Sequence, residues 1–260
     1  LRIWGMGIAS ADVNLDGYPD YYLTSMADNK LQVLKDPKSA KPDYADIAFK
    51  SGITAHKPYT GGDQNPSTAW HAQFADVNND GLQDLFVAKG NVAKMPDFAE
   101  RDPNNLMLAV GDGTFIEAGD RAGVASMAIA RGAQVVDLNL DGKLDLVVQN
   151  RWTGPEVWRQ TGEAGTSVEV RLQQDGANRD AIGAVLEIKR GAAVERHEIS
   201  SGGGHASGSV GWVHLGLGTA DKADLRVIWP DGAASDWMTI PSGSFMILRP
   251  GAAPEAWTPE

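Results

Sequence analysis

One nine-residue pattern of oxygen-bearing side chains occurs three times in the first 150 residues of the chain. The pattern reads D-x-N-x-D-G-x-x-D and occupies residues 12–20, 76–84 and 137–145, so its starts are 64 and 61 residues apart. Carboxylate and amide oxygens are the ligands of hard cations, and calcium accepts roughly six to eight such oxygens in a flexible shell. The pattern therefore predicts one calcium ion in each loop, about three in all, and its spacing predicts a repeat.

Within each loop, the side chains at positions 1, 3, 5 and 9 and the backbone carbonyl at position 7 can surround one ion. Glycine at position 6 permits the tight turn, because positive φ carries no steric penalty for glycine. The predicted calcium ligands are Asp12, Asn14, Asp16, Tyr18, Asp20, Asp76, Asn78, Asp80, Leu82, Asp84, Asp137, Asn139, Asp141, Lys143 and Asp145.

Two other interpretations of these loops are weaker. EF-hand loops open in the same way but require a glutamate at position 12, where this chain has Leu23, Val87 and Val148. Each of these residues lies in a short apolar run, which predicts a buried strand rather than a helix. Asp, Asn and Gly also form ordinary polar turns, but three copies with every ligand position filled favour cation binding.

Short strand-like runs flank each loop and predict a unit of about four strands. In the second unit, 70–75 enters the loop, 85–88 leaves it, and the runs 105–110 and 114–117 surround a Gly-Asp-Gly turn. Asp-Gly between two apolar runs is a strong hairpin signal. Units of four short strands are typical of propeller blades. The predicted fold is all-β, with about three propeller-type blades over residues 1–160.

After residue 160 the Asp-rich pattern stops, and a second region begins. Alternating apolar and polar residues, as in 167–172 and 184–189, predict half-buried antiparallel strands. About six or seven such strands predict a small β-sandwich-like domain over residues 161–250. The glycine run 201–204 is expected to be a flexible strand connection, and residues 251–260 a flexible tail.

Composition excludes several function classes. The 260 residues include 34 acidic and 23 basic ones, for a formal charge of −11, but nine of the acids are the loop aspartates. No basic cluster is present to neutralise phosphates, so nucleic acid is not an expected partner. Without cysteine, the chain has no thiolate metal site or thiol nucleophile. No apolar run approaches about 18 residues, so no membrane span is expected.

Two sets of motifs resemble known families. The Asp-rich loops, together with G-D-G-T-F at 111–115, resemble FG-GAP/VCBS repeats, the blades also found in integrin α-subunits. In the second half, N-R-D-A-I-G-A at 178–184, H-L-G-L-G at 214–218 and V-I-W-P-D-G at 227–232 resemble the ASPIC/UnbV domain. The pairing, over roughly residues 1–250, is similar to bacterial relatives of cartilage acidic protein.

The resemblance implies an extracytoplasmic, calcium-binding, non-catalytic protein whose ligands are the loop residues named above. A secreted, periplasmic or cell-surface location also fits weak calcium sites, which need the roughly millimolar calcium found outside the cytosol. Propellers of this type have about seven blades. Three loop-bearing units therefore imply that the rest was removed, that another chain supplies it, or that the ring is incomplete.

The main functional hypothesis is a non-enzymatic interaction or scaffold module, whose partner is another protein chain or an extracellular ligand. The first alternative is a carbohydrate-binding or carbohydrate-acting protein with a glycan as ligand. A glycan-cleaving enzyme needs paired carboxylates in a cleft, and the sequence shows no such pair outside the loops. The second alternative is a subunit of a larger cell-envelope assembly, because an open stack of blades exposes edges that favour association, including self-association.

Overall fold

Every regular element that the computed structural model describes, over residues 3–259, is a β-strand. Nineteen strands in this part of the chain form five sheets. The predicted all-β class is therefore confirmed. No helix long and apolar enough to cross a membrane occurs among the described residues.

The first three sheets are antiparallel, and in each of them the strands are paired in chain order. The first sheet contains β1 (Ile8–Ala11), β2 (Asp20–Leu23), β3 (Lys30–Leu34) and β4 (Tyr44–Asp46). The second contains β5 (Ala69–Ala75), β6 (Asp84–Lys89), β7 (Asn105–Ala109) and β8 (Phe115–Glu117). The third contains β9 (Ala130–Val136), β10 (Asp145–Asn150) and β11 (Glu156–Trp158).

Each Asp-rich loop joins the first two strands of one of these sheets. Loop 1 (residues 12–20) joins β1 to β2, loop 2 (76–84) joins β5 to β6, and loop 3 (137–145) joins β9 to β10. The aspartate at position 9 is the first residue of the second strand in all three cases. The hairpin predicted around the Gly-Asp-Gly turn is confirmed as β7 and β8.

These sheets are arranged in propeller fashion, with β5 in contact with both β1 and β9. Strand β6 explains how the cores between them form. Side chains alternate across a strand, so Leu85 and Val87 pack into one buried cluster with Tyr22 of the first sheet. Phe86 points the other way and packs with Val148 of the third sheet. A strand buried on both faces requires the continuous apolar run seen in the sequence.

Residues 166–257 form the remaining two sheets, here called the C-terminal sheets. One has the order β15-β12-β18-β19, made of β12 (Thr166–Leu172), β15 (Val213–Gly218), β18 (Phe245–Leu248) and β19 (Glu255–Trp257). The other has the order β14-β13-β16-β17, made of β13 (Val185–Arg190), β14 (Ala193–Glu198), β16 (Lys222–Ile228) and β17 (Met238–Pro241). Both contribute to one buried apolar cluster, so they share a single core.

Two expectations from the sequence need correction. Five sheets form, so about three blades is too low a count, because the sequence pattern counts only sheets with an Asp-rich loop as blades and places the remaining strands in a separate domain. The predicted flexible tail is wrong for Glu255–Trp257, which pair with β18 as β19. Trp257 lies against Trp212, with ring centroids 5.1 Å apart, and this aromatic contact orders the segment. Glu260 lies outside the described residues.

Candidate metal centre

The three Asp-rich loops share one hydrogen-bonding pattern, beginning with the aspartate at position 1. Its Oδ1 accepts the backbone N–H of position 5, and its Oδ2 accepts that of the glycine at position 6. In loop 1 both N···O distances are 3.0 Å, from Asp16 and Gly17 to Asp12. The corresponding distances are 2.9 and 2.7 Å in loop 2 and 3.1 and 2.7 Å in loop 3. The same sequence pattern therefore folds in the same way three times.

Positions 3 and 5 tighten the centre of each loop. In loop 1, Asn14 Oδ1 accepts the N–H of Asp16, and Asp16 Oδ1 accepts the N–H of Tyr18. The amide Nδ2 of Asn14 also donates to Asp16 Oδ2 at 2.9 Å. Equivalent bonds occur in loops 2 and 3. The position-5 aspartate is exposed in every loop, unlike the buried aspartates at positions 1 and 9.

The aspartate at position 9 closes each loop from the start of the next strand. Its Oδ2 accepts the N–H of position 2, at 3.1, 3.0 and 3.2 Å in loops 1, 2 and 3. The Oδ1 atoms of these aspartates have different partners. Asp84 Oδ1 accepts the N–H of Ala109 in β7, and Asp145 Oδ1 accepts the N–H of Gln160, two residues after β11. Asp20 Oδ1 is buried and has no hydrogen-bond partner. Loop 1 therefore has a free buried carboxylate oxygen.

The backbone of each loop is left-handed at two positions. Gly17, Gly81 and Gly142 at position 6 have φ between 79° and 90°, as the sequence predicts. Position 4 also has positive φ, 57° at Leu15, 59° at Asn79 and 59° at Leu140. Leucine is strained in this region, whereas asparagine tolerates it. The pattern gave no signal for position 4 because that residue type varies between the loops.

Burial is the largest cause of the pKa shifts of the aspartates at positions 1 and 9 in loops 1 and 2. Asp residues at positions 1 and 9 are between 0 and 8% exposed in all three loops. Burial raises the pKa of Asp12 to about 6 and that of Asp20 to about 7. In loop 2, burial likewise raises the pKa of Asp76 to about 6 and that of Asp84 to about 7. A nearby cation favours the ionised form of a carboxyl, so it would oppose these shifts.

Two observations indicate that the predicted ligands of the loops suit a hard cation. Every predicted ligand is an oxygen, and Asp20 Oδ1 in loop 1 lacks any partner within the protein. Among residues 3–259, no three His, Cys, Asp or Glu side chains are grouped so as to hold a metal ion. Each predicted set contains three aspartates besides an asparagine amide oxygen and a backbone carbonyl. In this structure the three carboxylates of each loop accept backbone N–H groups of that loop.

Two cavities lie between the loop-bearing sheets and the C-terminal sheets. One of about 470 Å³ is lined by Asp12 and the other, of about 380 Å³, by Asp76 and Asp137. Gln73 and Gln134 line both cavities. The position-1 aspartates of all three loops therefore border the junction between the two halves of the described chain.

Gly204, the last residue of the glycine run, is packed between strands rather than part of the flexible connection expected from the sequence, whereas Gly202 and Gly203 have open space around them. Gly204 forms a β-bridge with Ile8 of β1. A Cβ atom on Gly204 would lie 2.1 Å from His71 Nδ1 of β5. Ser207 Oγ donates to the carbonyl of Ala133 in β9. Residues 200–209 thus touch the first strands of all three loop-bearing sheets. The close approach at Gly204 is possible because glycine has no side chain.

Comparisons with known proteins match both halves. Residues 76–148 match the family described as FG-GAP-like repeat, and residues 174–255 match ASPIC and UnbV. Cartilage acidic protein 1 of Mus musculus is 27% identical over 235 residues, 88% of this chain and 34% of that protein. Cartilage acidic protein 1 of Homo sapiens is 46% identical over 57 residues, 22% of this chain and 8% of that protein. The resemblance inferred from the sequence is therefore confirmed, and the chain spans about a third of the mouse relative.

Proposed function

We propose that this chain is a non-enzymatic, extracytoplasmic interaction module in which three calcium ions stabilise loops 1, 2 and 3. The observation that carries the proposal is the threefold repetition of one loop geometry, with buried aspartates at positions 1 and 9. The match to FG-GAP-like repeats supports the same conclusion.

The loop residues would act mechanically. Bound calcium supplies the positive charge that the buried carboxylates otherwise lack. Position 1 lies at the end of one strand and position 9 at the start of the next, so ligands from both fix the two strands relative to each other. An ion that binds only the folded loop converts its binding free energy into folding stability. At calcium about 100-fold above the dissociation constant, each site adds about 2.7 kcal/mol.

The extracytoplasmic location and the partner belong to the same proposal. Weak loops of this type fill at roughly 10⁻⁴ to 10⁻³ M calcium, and the relatives are named for cartilage. We infer that the partner is another protein chain or an extracellular ligand.

Thermal unfolding with and without calcium tests the proposal. We expect the melting temperature to fall when calcium is removed with EDTA and to recover when calcium, but not an equal concentration of sodium chloride, is restored. The variant Asp16→Asn/Asp80→Asn/Asp141→Asn keeps the side-chain oxygen that accepts the position-7 N–H in each loop. This variant should unfold at the same temperature in calcium and in EDTA. Identical melting of the unmodified chain in both buffers, with no bound metal, would contradict the proposal.

A further inference from the structure

Loops 2 and 3 both bond to the C-terminal half. In loop 3 the carbonyl of Gly142 accepts a hydrogen bond from Ser167 Oγ at 2.9 Å, whereas loop 2 is bonded at several points. The N–H of Gly165 donates to the carbonyl of Asn78 at 2.9 Å, and that of Gly218, at the end of β15, donates to the carbonyl of Asn79 at 2.6 Å. Gly216 of β15 approaches so closely that a Cβ atom there would lie 1.9 Å from Asp76 Oδ2. These contacts form only when the backbone of residues 76–79 has its loop conformation.

The side chain of Asn79 adds three further hydrogen bonds, one to loop 3 and two to the C-terminal half. Its Nδ2 donates to the carbonyls of Gly142 in loop 3 and Gly165, at 2.9 and 3.1 Å. Its Oδ1 therefore accepts a hydrogen bond from Nε2 of His214 in β15, at 2.6 Å. The other ring nitrogen of His214 is held by Glu169 of β12. Asn79 is 1% exposed, so its polar atoms depend on these partners.

Loops 1 and 3 lack the residue that makes this arrangement. Their position 4 is Leu15 or Leu140, with nearly the same φ as Asn79 but without a polar side chain. Loop 1 contacts the C-terminal sheets through a longer bond, from Arg196 to the carbonyl of Gly17 at 3.4 Å. Loop 1 therefore provides a matched control with the same pattern and a weaker contact.

We propose that calcium in loop 2 controls the docking of the C-terminal sheets onto the loop-bearing sheets. The proposal rests on the calcium binding proposed above and assigns a regulatory role to one of the three sites. An ordered loop 2 presents two carbonyls, the Asn79 side chain and the space beside Asp76 that Gly216 occupies. Because coupling is reciprocal, docking in turn raises the calcium affinity of loop 2 above that of the same loop in the undocked chain.

Hydrogen exchange at the amides of Gly165 and Gly218 tests the proposal, because both amides donate to loop 2. We expect exchange at both to be about tenfold or more faster in EDTA than in calcium. Asp80→Asn should produce the fast exchange even in moderate calcium. Asp16→Asn, the equivalent change in loop 1, should leave both amides protected while one calcium site is lost.

Asn79→Gly separates docking from metal binding. Glycine accepts the positive φ of position 4, and the Asn79 side chain is not among the predicted ligands. We expect three bound calcium ions by titration calorimetry but fast exchange at Gly165 and Gly218, whereas Leu15→Gly should leave both amides protected. Equal exchange with and without calcium in a chain that binds three ions would overturn the docking role alone. A chain that binds no calcium would overturn the proposed function as well.

Discussion

Replacing the aspartate at position 9 should destabilise the second sheet more than the first, even without calcium. Asp84 is fully buried and accepts backbone N–H groups from Val77 at 3.0 Å and Ala109 at 2.8 Å. Asp20 is equally buried but accepts only the N–H of Val13, at 3.1 Å. Each buried N–H left without a partner costs about 1–3 kcal/mol. Asp84→Ala should therefore lower the free energy of unfolding by about 1–3 kcal/mol more than Asp20→Ala.

Urea unfolding in EDTA, followed by tryptophan fluorescence, measures this difference. The two carboxyls form a matched pair, because burial raises the pKa of each to about 7. Removing the buried carboxyl should therefore recover a similar desolvation free energy in both variants. Equal losses of stability, or a larger loss for Asp20→Ala, would refute the role of the second hydrogen bond in joining loop 2 to β7.

Two further predictions concern the C-terminal half. Gly204→Ala should lower the melting temperature by several degrees, because the residue has φ of 58° and no room for a Cβ, whereas Gly203→Ala, with nothing within 4 Å, should change it by about 1 °C or less. Burial opposes the ionisation of Glu195, but the positive charges of His197 and Arg190 outweigh it and lower its pKa from 4.5 to about 2. Its charge therefore adds stability above about pH 4.5 that is lost as pH falls towards 2, so the stability difference between the unmodified chain and Glu195→Gln should shrink over that range.

Local sequence patterns were sufficient to predict the strands around the loops. Alternation and turn chemistry act over a few residues, so the β7–β8 hairpin and the strands that begin at position 9 could be located directly. The resemblance to two families was also available from short motifs. The count of sheets was not, because β12 and β18 pair in parallel across a long stretch of sequence that carries no loop pattern.

Long-range partners account for what the sequence did not predict. Asn79 and His214 are 135 residues apart, and nothing in either neighbourhood identifies the other. Lys89 is wholly buried in β6 because Asp102 lies 2.9 Å from its Nζ, a pairing that an apolar run does not reveal. Gly204 looked like a flexible linker, since the close approach of another strand is visible only in three dimensions.

The number of calcium ions bound per chain tests the central claim most directly. After exhaustive dialysis against low calcium and re-addition of calcium, titration calorimetry with elemental analysis of the bound metal should give three ions per chain. Each of Asp16→Asn, Asp80→Asn and Asp141→Asn should then remove one ion and leave two. No bound calcium in the unmodified chain, or a stoichiometry that these three variants leave unchanged, would contradict the account.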